Sequence, residues 1–258
     1  MADTKISAAT NNATVAGTDE FATNKAGASN RTAASAVKTY VNTAPVFAAG
    51  TASANTWPKL TAGTLLTTPE AGALELDGNC LYGTTDAGNR GIIPIRHLIR
   101  CNATRTLPND TNENAIFDSP TNGRLTLETG TYLFKIMCGI TSMSATSGNA
   151  LLDILGAGTA VCDDWLYNCI GKDGTLISVT AVLGVMAVIQ STPASMFTAG
   201  TGAQMWFTGE GTFTVTTAGT LIPSIDQVTA AAAVVAIGSF FYCERIGDTG
   251  VVSVGQWD

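Results

Sequence analysis

The sequence predicts a mainly β protein whose largest part is an antiparallel sandwich or jelly roll. Apolar and polar residues alternate along 125–136, 211–220 and 238–247, and glycine or proline residues bound these runs. Successive side chains of a strand point to opposite faces, so this alternation is typical of half-buried strands. Between His97 and Gly247 turn signals separate many short strand-like runs, and no long helical pattern interrupts them. That pattern favours a sandwich or jelly roll.

The segment 125–136 is predicted to form a strand, a two-residue turn and a second strand. The alternation along the second strand separates two sets of side chains, one on each face: Tyr132, Phe134 and Ile136, and Leu133 and Met137. We expect one of the two sets in the core.

The first 45 residues differ from the rest and predict a small α/β module. Residues 18–22 suit a short strand, and residues 25–31 suit a turn. A short helix should follow, with Thr32 as its N-cap and Pro45 just past its end. Its apolar face would be formed at i, i+3, i+4 and i+7 spacing by Ala33, Ala36, Val37, Tyr40 and Val41.

Residues 46–96 predict a connector built on a β-hairpin. Asp77–Gly78 is a type I′ turn signal between the strand-like runs 73–76 and 80–82. A hairpin this small has too little core to be stable alone, so we expect it to pack on neighbouring structure.

Composition excludes some partners. Only 13% of the 258 residues are charged and 45% are apolar, so uncharged residues must cover much of the surface. The net charge is -7, and the 13 Lys and Arg residues are scattered along the chain. Nucleic-acid binding needs clustered positive charge, so we expect no nucleic-acid partner.

The six cysteines predict free thiols rather than a disulfide framework or a metal site. No Cys-x-x-Cys spacing occurs, and several of the cysteines lie inside strand-like runs, where Cys is an ordinary small apolar residue. Two facing cysteines could still pair later, in released particles. With a single histidine, the chain predicts no zinc site, and we expect no metal and no cofactor.

We also expect no catalytic residue. His97 is the only candidate for a general base near neutral pH. Asp163 and Asp164 beside Trp165 suggest a carboxylate pair with a sugar platform, but adjacent strand residues point to opposite faces, so a solvated acidic loop is favoured. The Gly156-Ala157-Gly158 sequence mimics a dinucleotide fingerprint but lacks its third glycine, which favours a turn.

No export signal is visible, so the product is expected to stay in the cell that makes it. Two long apolar segments, 174–209 and 227–243, are interrupted by glycine, proline or polar residues or are too short to span a bilayer. Membrane insertion is therefore not expected.

Three blocks of the chain resemble bacteriophage fibre and virion-surface proteins. The blocks are the "TKISA" start with the "TAASAVKTYV" segment, the phrase "LTAGTLLTTPEAGALELDGNCLY" followed by a Gly/Arg turn, and the strand order of the last part. The resemblance implies a homotrimer with four parts: a virion-attachment module at 1–45, a stem hairpin at 46–96, a C1q/TNF-like jelly-roll head at 97–247 and a tail at 248–258. Its docking side chains would be Phe21, Tyr40 and Val41.

Two functions remain open under this resemblance, and neither is enzymatic. The first is a short trimeric tail fibre, whose heads recognise a host-surface glycan or protein and gain strength from avidity. The second is a trimeric decoration or cement protein that stabilises the capsid. The expected partners are other copies of the chain and other phage structural proteins, from the tail or baseplate or the major capsid protein. The expected location is the virion surface, after assembly in the host cytoplasm.

Overall fold

The chain divides into two compact units, Met1–Lys59 and Leu60–Asp258. The computed structural model describes residues 20–25, 28–33, 60–78, 80–118, 123–145, 150–173, 182–189, 196–198, 202–250 and 254. The predicted boundaries after residues 45, 96 and 247 stay predictions.

The described part of the first unit is one antiparallel pair of strands. β1 is Glu20–Lys25 and β2 is Ala28–Ala33, with Phe21 opposite Thr32. The predicted short strand is therefore present, but Thr32 continues a strand instead of capping a helix. Residue 25 and residues 28–31 of the region predicted as a turn belong to the paired strands, and the predicted helix beyond Ala33 lies outside the described residues.

The described part of the second unit consists of strands and their connections, with no helix, which confirms a mainly β protein. Its strands are β3 Leu74–Leu76, β4 Leu81–Thr84, β5 Arg90–Ile93, β6 Arg96–Arg100, β7 Arg105–Thr106, β8 Asn114–Ala115, β9 Leu125–Leu127, β10 Gly130–Thr141, β11 Ala150–Asp153, β12 Val161–Asp173, β13 Val182–Ile189, β14 Phe197–Thr198, β15 Met205–Thr217, β16 Gly219–Leu221, β17 Ser224–Gln227, β18 Val234–Val235 and β19 Phe240–Gly247.

The largest sheet, which we call the main sheet, has eight strands. It runs in the order β13-β12-β15-β10, and β10 then pairs with β19 along its first part and with β18 at its end. β6 extends the sheet beyond β19, and β7 extends it beyond β18. The other sheets are β14-β11-β17-β8, which we call the second sheet, the pair β16-β9 and the connector sheet β3-β4-β5. All these pairings are antiparallel.

One hydrophobic core joins the main sheet to the second sheet and to the β16-β9 pair. On β10 the predicted alternation is confirmed, because Tyr132, Phe134 and Ile136 are buried while Met137 is 48% exposed. An aromatic cluster forms the centre of this core. The ring of Phe134 lies 5.8 Å from Phe213 and 6.0 Å from Trp165 between centroids.

Both strands predicted within 125–136 are present, and two residues separate them. They do not form a hairpin with each other, because β9 pairs with β16 and not with β10. The reason is that a strand has only two edges for hydrogen bonding, and along its first part β10 uses them for β15 and β19. The carbonyl of Thr129, between β9 and β10, accepts a hydrogen bond from the Arg245 guanidinium instead.

In the connector sheet the predicted hairpin is present, since β3 pairs with β4 with Leu76 opposite Leu81. The connecting loop is longer than a two-residue turn, and the Asp77 amide donates to the Cys80 carbonyl at 3.4 Å. The Asp77 side chain accepts from the Cys80 amide and from the Tyr82 hydroxyl. These hydrogen bonds to the Asp77 side chain order the loop, which the pairing of β3 with β4 does not fix by itself.

Candidate assembly face

The side of the main sheet that faces away from the core is its outer face. Antiparallel register aligns the outer side chains in rows that cross β6, β19, β10, β15 and β12 in that order. The first row is Arg96, Glu244, Leu133, Thr212 and Leu166; the middle row is Leu98, Tyr242, Lys135, Glu210 and Asn168; the third row is Arg100, Phe240, Met137, Thr208 and Ile170.

Large apolar side chains are exposed on this face. Leu98 is 62% exposed, Leu166 52% and Ile170 43%, and Met137 lies in the row of Ile170. Single exposed apolar residues are ordinary on a protein surface, but several on one face of a sheet are typical of a contact site.

Two ion pairs lie within this face. The Lys135 Nζ lies 3.2 Å from the Glu210 carboxylate, and the Arg96 guanidinium lies 3.0 Å from the Glu244 carboxylate. Arg96 also lies over the ring of Tyr242, with its Cζ 4.1 Å from the ring centroid. Since the pairs are partly exposed, each contributes little to the stability of the single chain. The charges cancel within each pair, and the exposed Arg100 adds a positive charge in the third row.

Two depressions lie on the sheet. The first, of about 370 Å³, is lined by Leu133, Lys135, Leu166 and Glu210 among others. Trp206 lies directly over Gly139, where a Cβ atom would be only 2.2 Å from the indole ring. A second depression of about 280 Å³, lined by Trp206, Met137 and Ile170 among others, follows along the sheet. The first depression therefore includes the Lys135–Glu210 pair of the middle row, and the second lies beside the third row.

The predicted docking residues are not brought together by the described structure. Phe21 is on β1, whereas Tyr40 and Val41 lie outside the described residues. Their docking role stays a prediction.

His97 and Trp165, which the sequence analysis considered as candidates for a catalytic site, lie in different surroundings. His97 is exposed on β6 beside a depression of about 170 Å³, and the described residues that line this depression include Arg124 and Phe241 but no carboxylate, serine or cysteine. Trp165 is 1% exposed and stacks on Phe213 with 4.6 Å between ring centroids, so it is a core residue and not a sugar platform.

Asp163 and Asp164 belong to an irregularity within β12, not to a loop between strands. The pairing of β12 with β15 shifts between Asp163 and Leu166, and Asp164 has a φ of 50°. The carboxylate of Asp163 accepts a hydrogen bond from the Thr216 hydroxyl at 3.1 Å. This bulge turns Trp165 inward, which explains why simple alternation did not predict its burial.

All six cysteines are free thiols, as predicted. Burial raises the pKa of four of them to about 12: Cys138, Cys162, Cys169 and Cys243. Thiols of this kind are poor nucleophiles, because the thiolate is the reactive form. Among the described residues, no group of three or more His, Cys, Asp or Glu side chains is placed to hold a metal ion.

Three carboxylates that the sequence did not single out converge at the second sheet, and we call them the carboxylate cluster: Glu113, Asp153 and Asp226. Burial raises the pKa of all three, and mutual repulsion adds to the shift for Glu113 and Asp153. The Leu155 amide donates to Asp153 at 2.9 Å, which partly offsets the rise in its pKa.

The sequence analysis did not identify the outer face, although the sequence contains a signal for it. Along β10 and β12, apolar residues occur among the side chains of both faces, so each strand also places apolar side chains on the outer face. A strand that is apolar on both faces is typical of one covered on both sides.

No protein-family model matches this chain, and a search of curated proteins finds no match either. In the part of the chain that the structure describes, no helix has the length and apolar character needed to cross a bilayer.

Proposed function

We propose that the protein is a non-enzymatic structural protein of a bacteriophage virion, a short trimeric tail fibre that presents a jelly-roll head for host-surface recognition. The observation that carries the proposal is the outer face of the main sheet, which exposes apolar side chains and contains two internal ion pairs. Such a surface suits contact between proteins rather than chemistry on a small substrate. The resemblance of the three sequence blocks supplies the phage context, the trimer and the attachment role of residues 1–45.

The jelly-roll form of the head is part of the proposal. The main sheet and the second sheet share one core, and all their strand pairings are antiparallel, which is the architecture that a jelly roll requires. Three such heads side by side would present three copies of each loop, so that weak contacts to a host glycan or protein add up.

A trimeric decoration protein of the capsid is the second candidate. The small size of the unit Leu60–Asp258 favours it, because one compact unit suffices to occupy a three-fold position. Copy number per particle separates the two candidates, since a fibre is present in few copies and a cement protein in hundreds.

The test of the proposed function has two parts. The mass of the full chain in solution at micromolar concentration should be three times 26.5 kDa. A truncated chain without residues 1–44 should keep a β-rich circular dichroism spectrum and the trimeric mass but should fail to join particles when expressed in infected cells. A monomeric full chain contradicts the assembly, and normal incorporation of the truncated chain contradicts the attachment role.

A further inference from the structure

We propose that the depression beside His97, at the edge of the main sheet, binds the carboxylate of an acidic sugar unit in a host-surface polysaccharide. This inference rests on the proposed function, because recognition of the host surface belongs to it. It adds a place on the head where a receptor binds and the chemical class of that receptor.

β6 places His97 and Ile99 on the core side of the main sheet. Side chains directly opposite each other in antiparallel strands lie on the same face, and these two residues lie opposite Cys243 and Phe241, which are both buried. Among the described strands β6 pairs only with β19, so β6 is an edge of the sheet. His97 is therefore exposed although it belongs to the inner face.

The segment before β9 forms the other wall of the depression and supplies Arg124. Gly123 has a φ of 63°, and a Cβ atom there would lie 2.6 Å from the Phe117 Cβ and 3.2 Å from the Ile99 Cδ1. The glycine thus lets this segment pack closely against β6. The next residue, Arg124, is exposed and lines the same depression as His97.

Arg124 has a positive charge without a carboxylate partner in the described part of the chain. Four of the six arginines with described side chains bond to carboxylates or carbonyls of the chain: Arg90, Arg96, Arg105 and Arg245. Within the described residues Arg100 and Arg124 have no such partner. Since the chain as a whole has a net charge of -7, an unpaired cation beside a depression favours an anionic ligand there.

The charge and shape of the depression favour a carboxylate over a phosphate. A guanidinium is a permanent cation with a flat fork of N–H donors, which matches the two oxygens of a carboxylate. Its single charge balances that of a carboxylate, whereas a phosphate monoester carries about -1.5 to -2 near pH 7. The His97 imidazole adds a ring nitrogen for hydrogen bonding, and Ile99 and Leu125 contribute apolar lining for the C–H groups of a ligand.

The size of the depression favours one sugar ring of a longer chain. Its volume of about 170 Å³ is below the ~300–1,000 Å³ of pockets that hold drug-sized ligands, so it suits one small unit. A single unit binds weakly, but a polysaccharide repeats the unit, so that several heads can bind one chain at once. A protein receptor would instead need about 800 Å² of matching surface on each partner.

Matched sugars test this inference on the full chain. The probes are the methyl glycosides of glucuronic and galacturonic acid, the neutral methyl glucoside and galactoside, and methyl glucoside 6-phosphate. By NMR titration at least one acid should bind at least tenfold more tightly than its neutral parent and more tightly than the phosphate. If neither acid binds more tightly than its parent, the inference is overturned. Tighter binding of the phosphate overturns the assignment of a carboxylate.

The single histidine provides a readout that needs no substitution. The proton on Cε1 of the His97 imidazole is the only one of its kind in the chain, so its chemical shift reports on this depression. We expect this shift to change with the acidic sugar, with the dissociation constant of the titration, and to stay constant with the neutral sugar. Binding that leaves the His97 signal unchanged would place the site elsewhere and overturn the inference.

Arg124→Gln tests the cation, with Arg100→Gln as the matched control. Both changes remove one positive charge from an exposed arginine, but Arg100 lies opposite Phe240 on the outer face. Arg124→Gln should weaken binding of the acidic sugar at least tenfold, and Arg100→Gln less than about twofold. Arg124→Lys keeps the charge but loses the fork, so it should retain only part of the affinity. Equal weakening by the two glutamine variants would show a response to overall charge and overturn the inference.

The outcomes separate this inference from the proposed function. A chain that is trimeric and joins particles but binds no acidic sugar overturns this inference alone. A monomeric chain whose His97 signal responds to the acidic sugar supports the sugar site and contradicts the trimer. A hexaglutamate peptide that binds as tightly as an oligouronate of the same length would assign the depression to a protein partner and overturn the sugar assignment.

Discussion

Replacement of Phe134 by alanine should remove the centre of the aromatic core and cause a large loss of stability. Phe134 is fully buried and its ring contacts Trp165, Phe213 and Phe241, the last at 6.4 Å between centroids. Loss of the buried phenyl surface costs about 2 kcal/mol. A cavity of on the order of 100 Å³, at about 24 cal/mol per Å³, adds about 2 kcal/mol if the neighbours do not collapse into it. The expected loss is therefore about 4 kcal/mol.

Urea unfolding measures this loss directly. The midpoint should fall while the slope stays constant, because the surface exposed on unfolding is nearly unchanged. In a thermal melt the same loss corresponds to a decrease of about 8–16 °C. Val228→Ala, at a half-exposed position, is the control and should change stability by less than about 0.5 kcal/mol. A loss below about 1 kcal/mol for Phe134→Ala would refute the inward register of β10.

Three further predictions concern the pH dependence, the packing and the thiols. The carboxylate cluster has raised pKa values in the folded state, so the folded chain binds more protons between the unfolded and folded pKa values, and stability should rise as the pH is lowered through that window. Asp153→Asn should stabilise the protein at neutral pH and should make the free energy of unfolding, measured by urea titration, depend less on pH. An unchanged dependence of that free energy on pH would contradict the role of the cluster. Gly211→Ala would place a Cβ atom 2.1 Å from the Leu166 carbonyl oxygen and should lower the stability by about 3 kcal/mol or more. The control Gly63→Ala, with nothing within 4 Å of the added Cβ atom, should leave the thermal melt almost unchanged. Similar melting temperatures for the two variants would refute the close approach of β12 and β15. The four thiols whose pKa is raised to about 12 should react at least tenfold more slowly with a disulfide reagent in the folded protein than in urea, and equal rates would show that these thiols are accessible.

Local patterns in the sequence were enough to predict several of the strands and the division of β10 into two faces. The alternation along β10 correctly separates Phe134 from Met137, and the aromatic run at 240–247 forms β19. These properties depend on the residue and its neighbours in the chain, which is the information that period-two patterns contain.

Properties that depend on distant segments could not be predicted in the same way. The partner of β9 is decided by which edges of β10 are already occupied, and that depends on strands far along the chain. The burial of Trp165 depends on a bulge at Asp164, which a regular alternation does not contain. The candidate assembly face is likewise a property of several strands in register, so no single segment indicates it.

The central position of β10 has a consequence for how the chain is made. Its first part is hydrogen-bonded to β19, and the contact that ties Arg245 to the Thr129 carbonyl joins residues 116 positions apart in the sequence. During synthesis β10 therefore emerges with one edge that stays open until β19 has been translated. Pairing over such a separation is slow, and an open edge can meet the open edge of another nascent chain. The yield of folded protein should thus depend on the rate of translation between the two strands, and slow codons placed there would prolong the vulnerable interval.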